Sequence, residues 1–357
     1  MEKFEIFLFI VVALFLPSGL VCGQSSSFPN AQQADGMERA TWRFEFDNDV
    51  FFGSDNGISS GLSLQYHSAA ATDWEDLRGV LKIHRRLGRL LPFPKGRNML
   101  CRAGLAIGQL MQTPDDPKRR DLIPEDVPYA GALTLRANWY TYNDEEFHGF
   151  EVIVGVAGPL SLAGANQRKI HRLIGSTIPK GWDNQLANEP LLNLIYMRKK
   201  KIWHEGRPAG ISFDTAINGN VGLGNLFTHA SAALEMRFGY NMSGGFIYIP
   251  DPIGFSMNHM AALKPARPGA GSFYGSLVLR GTAMAHTIFL DGNSFLESHR
   301  VDRDPLVGQI ITGLHYEHRD WGVHFYALAS SAVVDTHKTT AAEKRELIGS
   351  ITIERRF

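Results

Sequence analysis

The sequence predicts an all-β fold, a closed antiparallel transmembrane β-barrel of about 12 strands with one short helix near a candidate site. Three observations predict it. Apolar and polar residues alternate along many short segments separated by turn residues. Beyond the first 23 residues, no run of apolar residues is long enough to cross a bilayer as a helix. The chain also ends on an alternating strand whose last residue is Phe357.

The amino-terminal stretch Ile6 to Leu16 is unbrokenly apolar and is followed by Pro17, Ser18 and Gly19. It is too short to span a membrane but suits the core of an export signal. Val21 and Gly23 occupy the small-residue positions before a cut, so residues 1–23 are expected to be a cleaved signal peptide. The charge before the core is atypical, because Glu2 and Glu5 outweigh Lys3. Cys22 opens a lipoprotein alternative, which Val21 immediately before it disfavours. Residues 24–39 then read as a flexible lead-in rich in Ser, Gln, Asn and Ala, and 40–357 as the barrel.

Within 40–357 the apolar period is two. Trp42, Phe44 and Phe46 alternate with Arg43, Glu45 and Asp47, and Leu62, Leu64 and Tyr66 with Ser63 and Gln65. Leu133, Leu135, Ala137 and Trp139 follow the same rule, as do Leu234, Met236 and Phe238, then Val323, Phe325 and Ala327. Alternation alone does not say which face is inside. Aromatics near strand ends (Trp139, Tyr140, Tyr142, Trp203, Tyr240, Tyr248, Trp321) suggest interfacial girdles and so a membrane barrel. The last strand places Ile351, Ile353 and Phe357 on one face. A terminal aromatic there suits recognition by the barrel assembly machinery. Ala70 to Asn98 and Asn241 to Gly271 read as long loops, whereas Glu205 to Arg207 and Arg319 to Asp320 are short turns. Leu160 to Ile174 departs from period two, and its spacing puts Gln167 and His171 one helical turn apart.

Composition narrows the function. Thirty-six basic residues balance 36 acidic ones, which argues against nucleic acid as a partner. If Cys22 leaves with the signal, Cys101 alone remains and no internal disulfide is possible; its apolar surroundings suit a packed bystander. No HExxH, paired-cysteine or GxSxG pattern occurs, which disfavours a zinc site or a serine nucleophile elbow.

Three clusters could carry chemistry. Asp47, Asn48, Asp49, Asp55 and Asn56 gather oxygen-bearing side chains of the kind a hard cation such as Ca2+ takes, although a polar turn explains them too. Gln167 and His171, followed by Gly181 to Pro190, offer an imidazole for general-base work, against the ordinary reading of one histidine among 13. Lys118, Arg119 and Arg120 form a basic triplet able to grip phosphate oxygens, or simply a solvated loop.

Together these segments resemble the lipid A 3′-O-deacylase (LpxR) family of outer-membrane enzymes, from about Phe44 to Phe357. The resemblance rests on Asp47-Asn48-Asp49 with Asp55 and Ile58 to Gly61, Val127 to Gly131, Gln167 with His171, and Gly181 to Leu186. It continues through Gly224 to Thr228 and Phe289 to Asn293. It implies a 12-stranded barrel in the outer membrane that uses Ca2+ to cleave the 3′-linked acyloxyacyl group from lipid A, the lipid anchor of lipopolysaccharide. Asn48 and Asp49 fall on the family's pair near metal and ester, Ser59 on its active-site Thr/Ser, Gln167 on its helix glutamine and His171 on its general base. Lys118, Arg119 and Arg120 lie near its basic pair for lipid A phosphate. One departure matters: where the family carries a Glu six residues beyond the histidine, this chain has Thr177, which leaves Asp183 or another oxygen to take that role. The rival readings are an outer-membrane phospholipase, a porin or structural barrel, and a soluble exported β-protein.

Overall fold

In a barrel wall each strand sends alternate side chains to opposite faces, so the burial pattern shows which solvent each face meets. The computed structural model describes residues 39–52, 57–94, 98–207, 209–250, 256–263, 265–267, 269–334 and 345–357. The expected signal peptide, nearly all of the lead-in and Asp55 lie outside the described residues.

Fourteen strands are described: β1 (Thr41–Asn48), β2 (Gly57–His67), β3 (Leu100–Thr113), β4 (Ala130–Tyr142), β5 (Glu146–Ala157), β6 (Glu189–Gly206), β7 (Ile211–Gly224), β8 (Phe227–Tyr240), β9 (Gly245–Phe246), β10 (Ala261–Ala262), β11 (Ser272–Thr287), β12 (Leu306–His318), β13 (Trp321–Ala332) and β14 (Arg345–Arg356). β9 and β10 pair only with each other, and the remaining twelve close into one antiparallel barrel. Closure is made by β1 against β14, from Thr41 opposite Arg356 to Asn48 opposite Gly349. Beside that seam the Phe357 amide donates to the Ala40 carbonyl at 3.0 Å. No sheet edge is left unpaired among these twelve strands, which is what a bilayer demands.

The faces are sorted as a membrane barrel requires. Leu135, Leu194 and Phe325 are 56%, 51% and 52% exposed, whereas Arg43, Glu151, Lys199, Glu235 and Glu354 are buried. The inward charges are paired: Arg43 with Glu354 at 2.7 Å, Lys199 with Glu235 at 2.9 Å and Arg356 with Glu317 at 2.6 Å. A soluble barrel would show the reverse arrangement.

Short turns at 143–145, 207–210 and Arg319–Asp320 lie at the end that carries Thr41 and Phe357. Short turns mark the periplasmic side, so the opposite loop end is extracellular. Of the expected girdle, Trp203, Tyr240 and Trp321 are exposed at the terminal end, and Trp42, not among those expected, is exposed there too. Four other aromatics expected there do something else. Tyr140 and Tyr142 are fully buried on the lumen side, Tyr248 lies inside the barrel, and Trp139 is covered from outside.

The expected long loop Asn241 to Gly271 turns back into the lumen. Its buried backbone needs partners, and the charged wall supplies them. Lys199 Nζ donates to the Ile247 carbonyl at 3.0 Å, Arg43 Nη1 to the His259 carbonyl at 2.9 Å, and Arg102 Nη1 to the Met260 carbonyl at 2.7 Å. Tyr326 donates its hydroxyl to the Tyr248 carbonyl at 2.8 Å. At the loop end Leu110, Ala132, Leu186, Phe227, Ile288 and Phe289 form an apolar cap. Among the described residues, two of the cavities inside measure about 30 and 20 Å3, room for single waters.

Among the described residues three α-helices interrupt the strand order: α1 (Lys82–Leu90), α2 (Ala163–Ile174) and α3 (Ile288–Asp291). Cys101, as expected, is a free and buried thiol.

Candidate functional site

The placement of α2 begins with a glycine. A Cβ on Gly131 of β4 would stand 2.3 Å from the Cβ of Ala163, so only glycine lets the helix start so close to the wall. Gly131 shares its face with the lipid-facing Leu133 and Leu135, so α2 lies against the outer surface of the barrel, not over its mouth. Three residues along, Asn166 Nδ2 donates to Gln109 Oε1 of β3 at 3.0 Å, while Gln109 Nε2 donates to the Ser161 carbonyl at 2.5 Å. The helix thus crosses from β4 to β3, in the direction of β2 and β1.

The early cluster lies on the same rung of the wall. Asn48 is opposite Ser60, Ser60 opposite Met111, and Met111 opposite Gly131. At the usual strand spacing the row spans about 14 Å. Asn48, the last residue of β1, is half-buried, and Asp49, which opens the 3-10 turn Asp49–Phe52, is buried. Ser59 falls where β2 slips register against β3, between Ile58 and Ser60. Bulges of this kind often re-aim a residue beside a functional site.

Gln167 is buried, and its Oε1 accepts the Trp182 indole N–H at 2.7 Å. Because the indole only donates, this contact orients the amide. Trp182 in turn packs with Met111, Tyr129 and Ala163, so the helix and the turn after it clamp the glutamine together. His171 is half-buried one turn on. The helix ends at Gly175, whose φ of 71° reverses the chain. That reversal brings the Thr177 carbonyl to 2.5 Å from His171 Nδ1. A carbonyl can only accept, so Nδ1 is the donor here, and in the neutral ring that leaves Nε2 with the lone pair.

Lys118, Arg119 and Arg120 are exposed in the β3–β4 loop. The Lys180 amide donates to the Pro117 carbonyl at 2.8 Å, and Asn184 Nδ2 to the Arg120 carbonyl at 2.6 Å. The triplet is therefore fastened to the segment that follows α2. Arg119 also pairs with Asp121. Asp183, exposed beside the buried Trp182, lies in the same segment.

Two contributors were not legible as functional in the sequence. Thr177 acts through its backbone, which no side-chain pattern reveals. Glu189 accepts from Asn225 Nδ2 at 2.9 Å, Asn293 Nδ2 at 3.1 Å and the Ser294 amide at 2.8 Å, tying three loop-end connections together. The motifs around Asn225 and Asn293 thus serve a structural clamp. Asp291 belongs to the same rim. Burial by itself would raise its carboxyl, but hydrogen bonds from His286, the Thr287 amide and Arg303 hold it below the ordinary carboxylate range.

On the donor set, Asn48 and Asp49 offer an amide oxygen and a carboxylate, hard oxygens that match calcium in kind. Among the described residues no group of three His, Cys, Asp or Glu is arranged to hold a metal. The fit to calcium therefore needs backbone, water or substrate oxygens besides these two side chains.

The outer wall also carries an apolar groove of about 1070 Å3, lined by Phe51, Phe238, Phe273, Leu314 and Phe325 among others. Phe51 follows Asp49 closely and seats its ring on Gly349, where an added Cβ would come within 2.7 Å.

These features define a class, a plugged membrane β-barrel whose candidate site is built on its lipid-facing wall under a helix. The chain matches the family described as "Outer membrane protein LpxR" over residues 8–357, and it belongs to that family of outer-membrane proteins. Among solved structures it is similar to LpxR from Salmonella typhimurium, with a TM-score of 0.68 and 13% identity, covering 89% of this chain and 100% of that one. The β domain of the Bordetella autotransporter BrkA matches with a TM-score of 0.39 and 7% identity, over 90% of this chain and 98% of that one. The curated proteins contain no match.

Proposed function

We propose that this chain is a calcium-dependent ester hydrolase of the outer membrane that removes the 3′-linked acyloxyacyl group from lipid A. The observation that carries this reading is His171 on α2. Its Nδ1–H is committed to the Thr177 carbonyl, and its helix lies against the lipid-facing wall, where a membrane lipid would present an ester. The filled lumen disfavours a porin, and the polar interior with an apolar exterior disfavours a soluble β-protein.

In the proposed reaction His171 Nε2 takes a proton from water as the oxygen attacks the ester carbonyl. The same imidazolium returns the proton to the departing sugar oxygen. The products are a free acyloxyacyl carboxylic acid and a lipid A with a free 3′ hydroxyl. Asn48 and Asp49 would hold calcium, which when bound supplies polarisation of the ester carbonyl and charge stabilisation at its oxygen. Gln167, with its amide orientation set by Trp182, offers N–H donors to water or substrate. Ser59 would position the ester. Lys118, Arg119 and Arg120 would hold lipid A phosphate by charge-assisted hydrogen bonds, and the apolar groove would shelter acyl chains. Delivery would follow cleavage of the export signal after Gly23 and recognition of Phe357 by the assembly machinery.

The experiment is mass spectrometry of lipid A after incubation with the protein in calcium or chelator, with glycerophospholipid in a parallel arm. Loss of the 3′ acyloxyacyl mass only with calcium supports the reading. Release of fatty acid from glycerophospholipid alone would replace it with a phospholipase.

A further inference from the structure

Residues 68–94, between β2 and β3, fold onto the outer surface of the barrel at the terminal end, opposite the candidate site. Trp139 Nε1 donates to the His84 carbonyl at 2.8 Å, and the two rings stack with centroids 5.1 Å apart. Phe93 meets Phe150 edge-on at 5.4 Å and stacks on Trp74 at 5.3 Å. Gly88 passes so close to Trp74 that a Cβ would come within 2.3 Å of its ring. Helix α1 is therefore held at its two buried positions, His84 against Trp139 of the wall and Gly88 against Trp74.

At 100° per residue the rest of α1 sorts into two sectors. Ile83, Leu87 and Leu90 fall within about 60° of one another, and all three are exposed, Leu90 by 79%. Lys82, Arg85, Arg86 and Arg89 fill a separate arc of about 100°. A water-facing helix gains nothing by exposing three aliphatic side chains, and the segment that carries them rests on the lipid-facing Trp139 and Phe150. The basic arc is only partly answered by the chain. Arg89 pairs with Glu75, and Arg85 Nη1 donates to the Glu75 carbonyl at 3.2 Å. Asp73 and Asp76 lie in the same segment, yet Lys82 and Arg86 make no ion pair with a described residue. These two stand four apart, neighbours on one helix face. Burial keeps the His84 imidazole below its ordinary value.

We propose that α1 is an interfacial lipid site that sinks Ile83, Leu87 and Leu90 into the periplasmic leaflet and holds the phosphate of an anionic glycerophospholipid between Lys82 and Arg86. A basic, amphipathic helix lying in the interface plane binds through these two contributions together. The assignment is independent of the hydrolase reading, since it concerns the other end of the barrel.

The test places the full protein in nanodiscs of phosphatidylcholine containing a minority of phosphatidylglycerol and counts retained lipids by native mass spectrometry. Wild type is expected to retain phosphatidylglycerol in preference, and the exposed double substitution Lys82→Gln, Arg86→Gln to lower that preference on the order of tenfold. Equal retention of both lipids by wild type, or a preference unchanged in the variant, overturns the site. A spin label on Leu87→Cys provides a second readout. Access to oxygen but not to a water-soluble nickel chelate is expected, and the reverse would place the helix in water.

Discussion

His171 Nδ1 donates to the Thr177 backbone carbonyl at 2.5 Å, across the turn that Gly175 makes at the end of α2. The position where the resembled family would carry a glutamate here contributes a main-chain oxygen that fixes the histidine tautomer. The Thr177 side chain is then dispensable for this contact. Thr177→Ala is expected to keep lipid A hydrolysis within about twofold, while His171→Ala lowers it by about two to four orders of magnitude. Initial rates by mass spectrometry check both, and full activity in His171→Ala would remove the imidazole from the reaction.

Gly131 offers a test of the helix mount. Gly131→Val adds atoms where Ala163 already stands, and overpacking of this kind costs about 1–3 kcal/mol. The expected outcome is a folded barrel with normal strand content by circular dichroism and hydrolysis reduced at least tenfold. Unchanged activity would show that α2 tolerates displacement.

Glu189 should matter for the rim rather than the reaction. Glu189→Ala leaves Asn225 and Asn293 without their shared acceptor, at a cost of about 1–3 kcal/mol. Proteolysis within 288–305 is expected to speed up while the strands stay protected.

Arg43 anchors the lumen segment by holding Glu354 and the His259 carbonyl at once. Arg43→Ala removes one of two arginine partners of the buried Glu354, which keeps Arg356 at 3.0 Å, and leaves the His259 carbonyl without its donor, at a cost of about 1–3 kcal/mol. A lower unfolding temperature and protease-sensitive residues near 241–271 are the expected readouts. Wild type is expected to show no steady conductance in planar bilayers.

Asp291 sets a pH limit. Its folded-state value lies below its unfolded one, so its contribution to stability is present above about pH 4 and disappears as pH falls through the folded value. The difference in melting temperature between wild type and Asp291→Asn should therefore be present at pH 6 and close at strongly acidic pH. A difference independent of pH would assign it to packing instead.

Much of the wall was legible because period two survives translation into structure. The alternation at Trp42 to Asp47 and at Val323 to Ala327 became lipid-facing and lumen-facing rows without exception. The aromatics were read less well, since Tyr140 and Trp139 adjoin in sequence yet face opposite sides, one into the lumen and one under α1. Local sequence cannot say what covers a strand face. The same limit hid the inward course of Asn241 to Gly271, whose partners include the charges Lys199, Arg43 and Arg102 that the fold brings from other strands. At the site, the one-turn spacing of Gln167 and His171 was readable. The contact that sets the histidine was not, because a carbonyl carries no residue identity.

A helix fastened to the outside of a wall has a kinetic consequence. A substrate embedded in the leaflet would reach α2 by lateral diffusion, so encounters would be counted per unit area of membrane, and bulk dilution would leave them unchanged. Adding inert detergent at constant total substrate would slow such a protein, while shrinking the aqueous volume would do nothing.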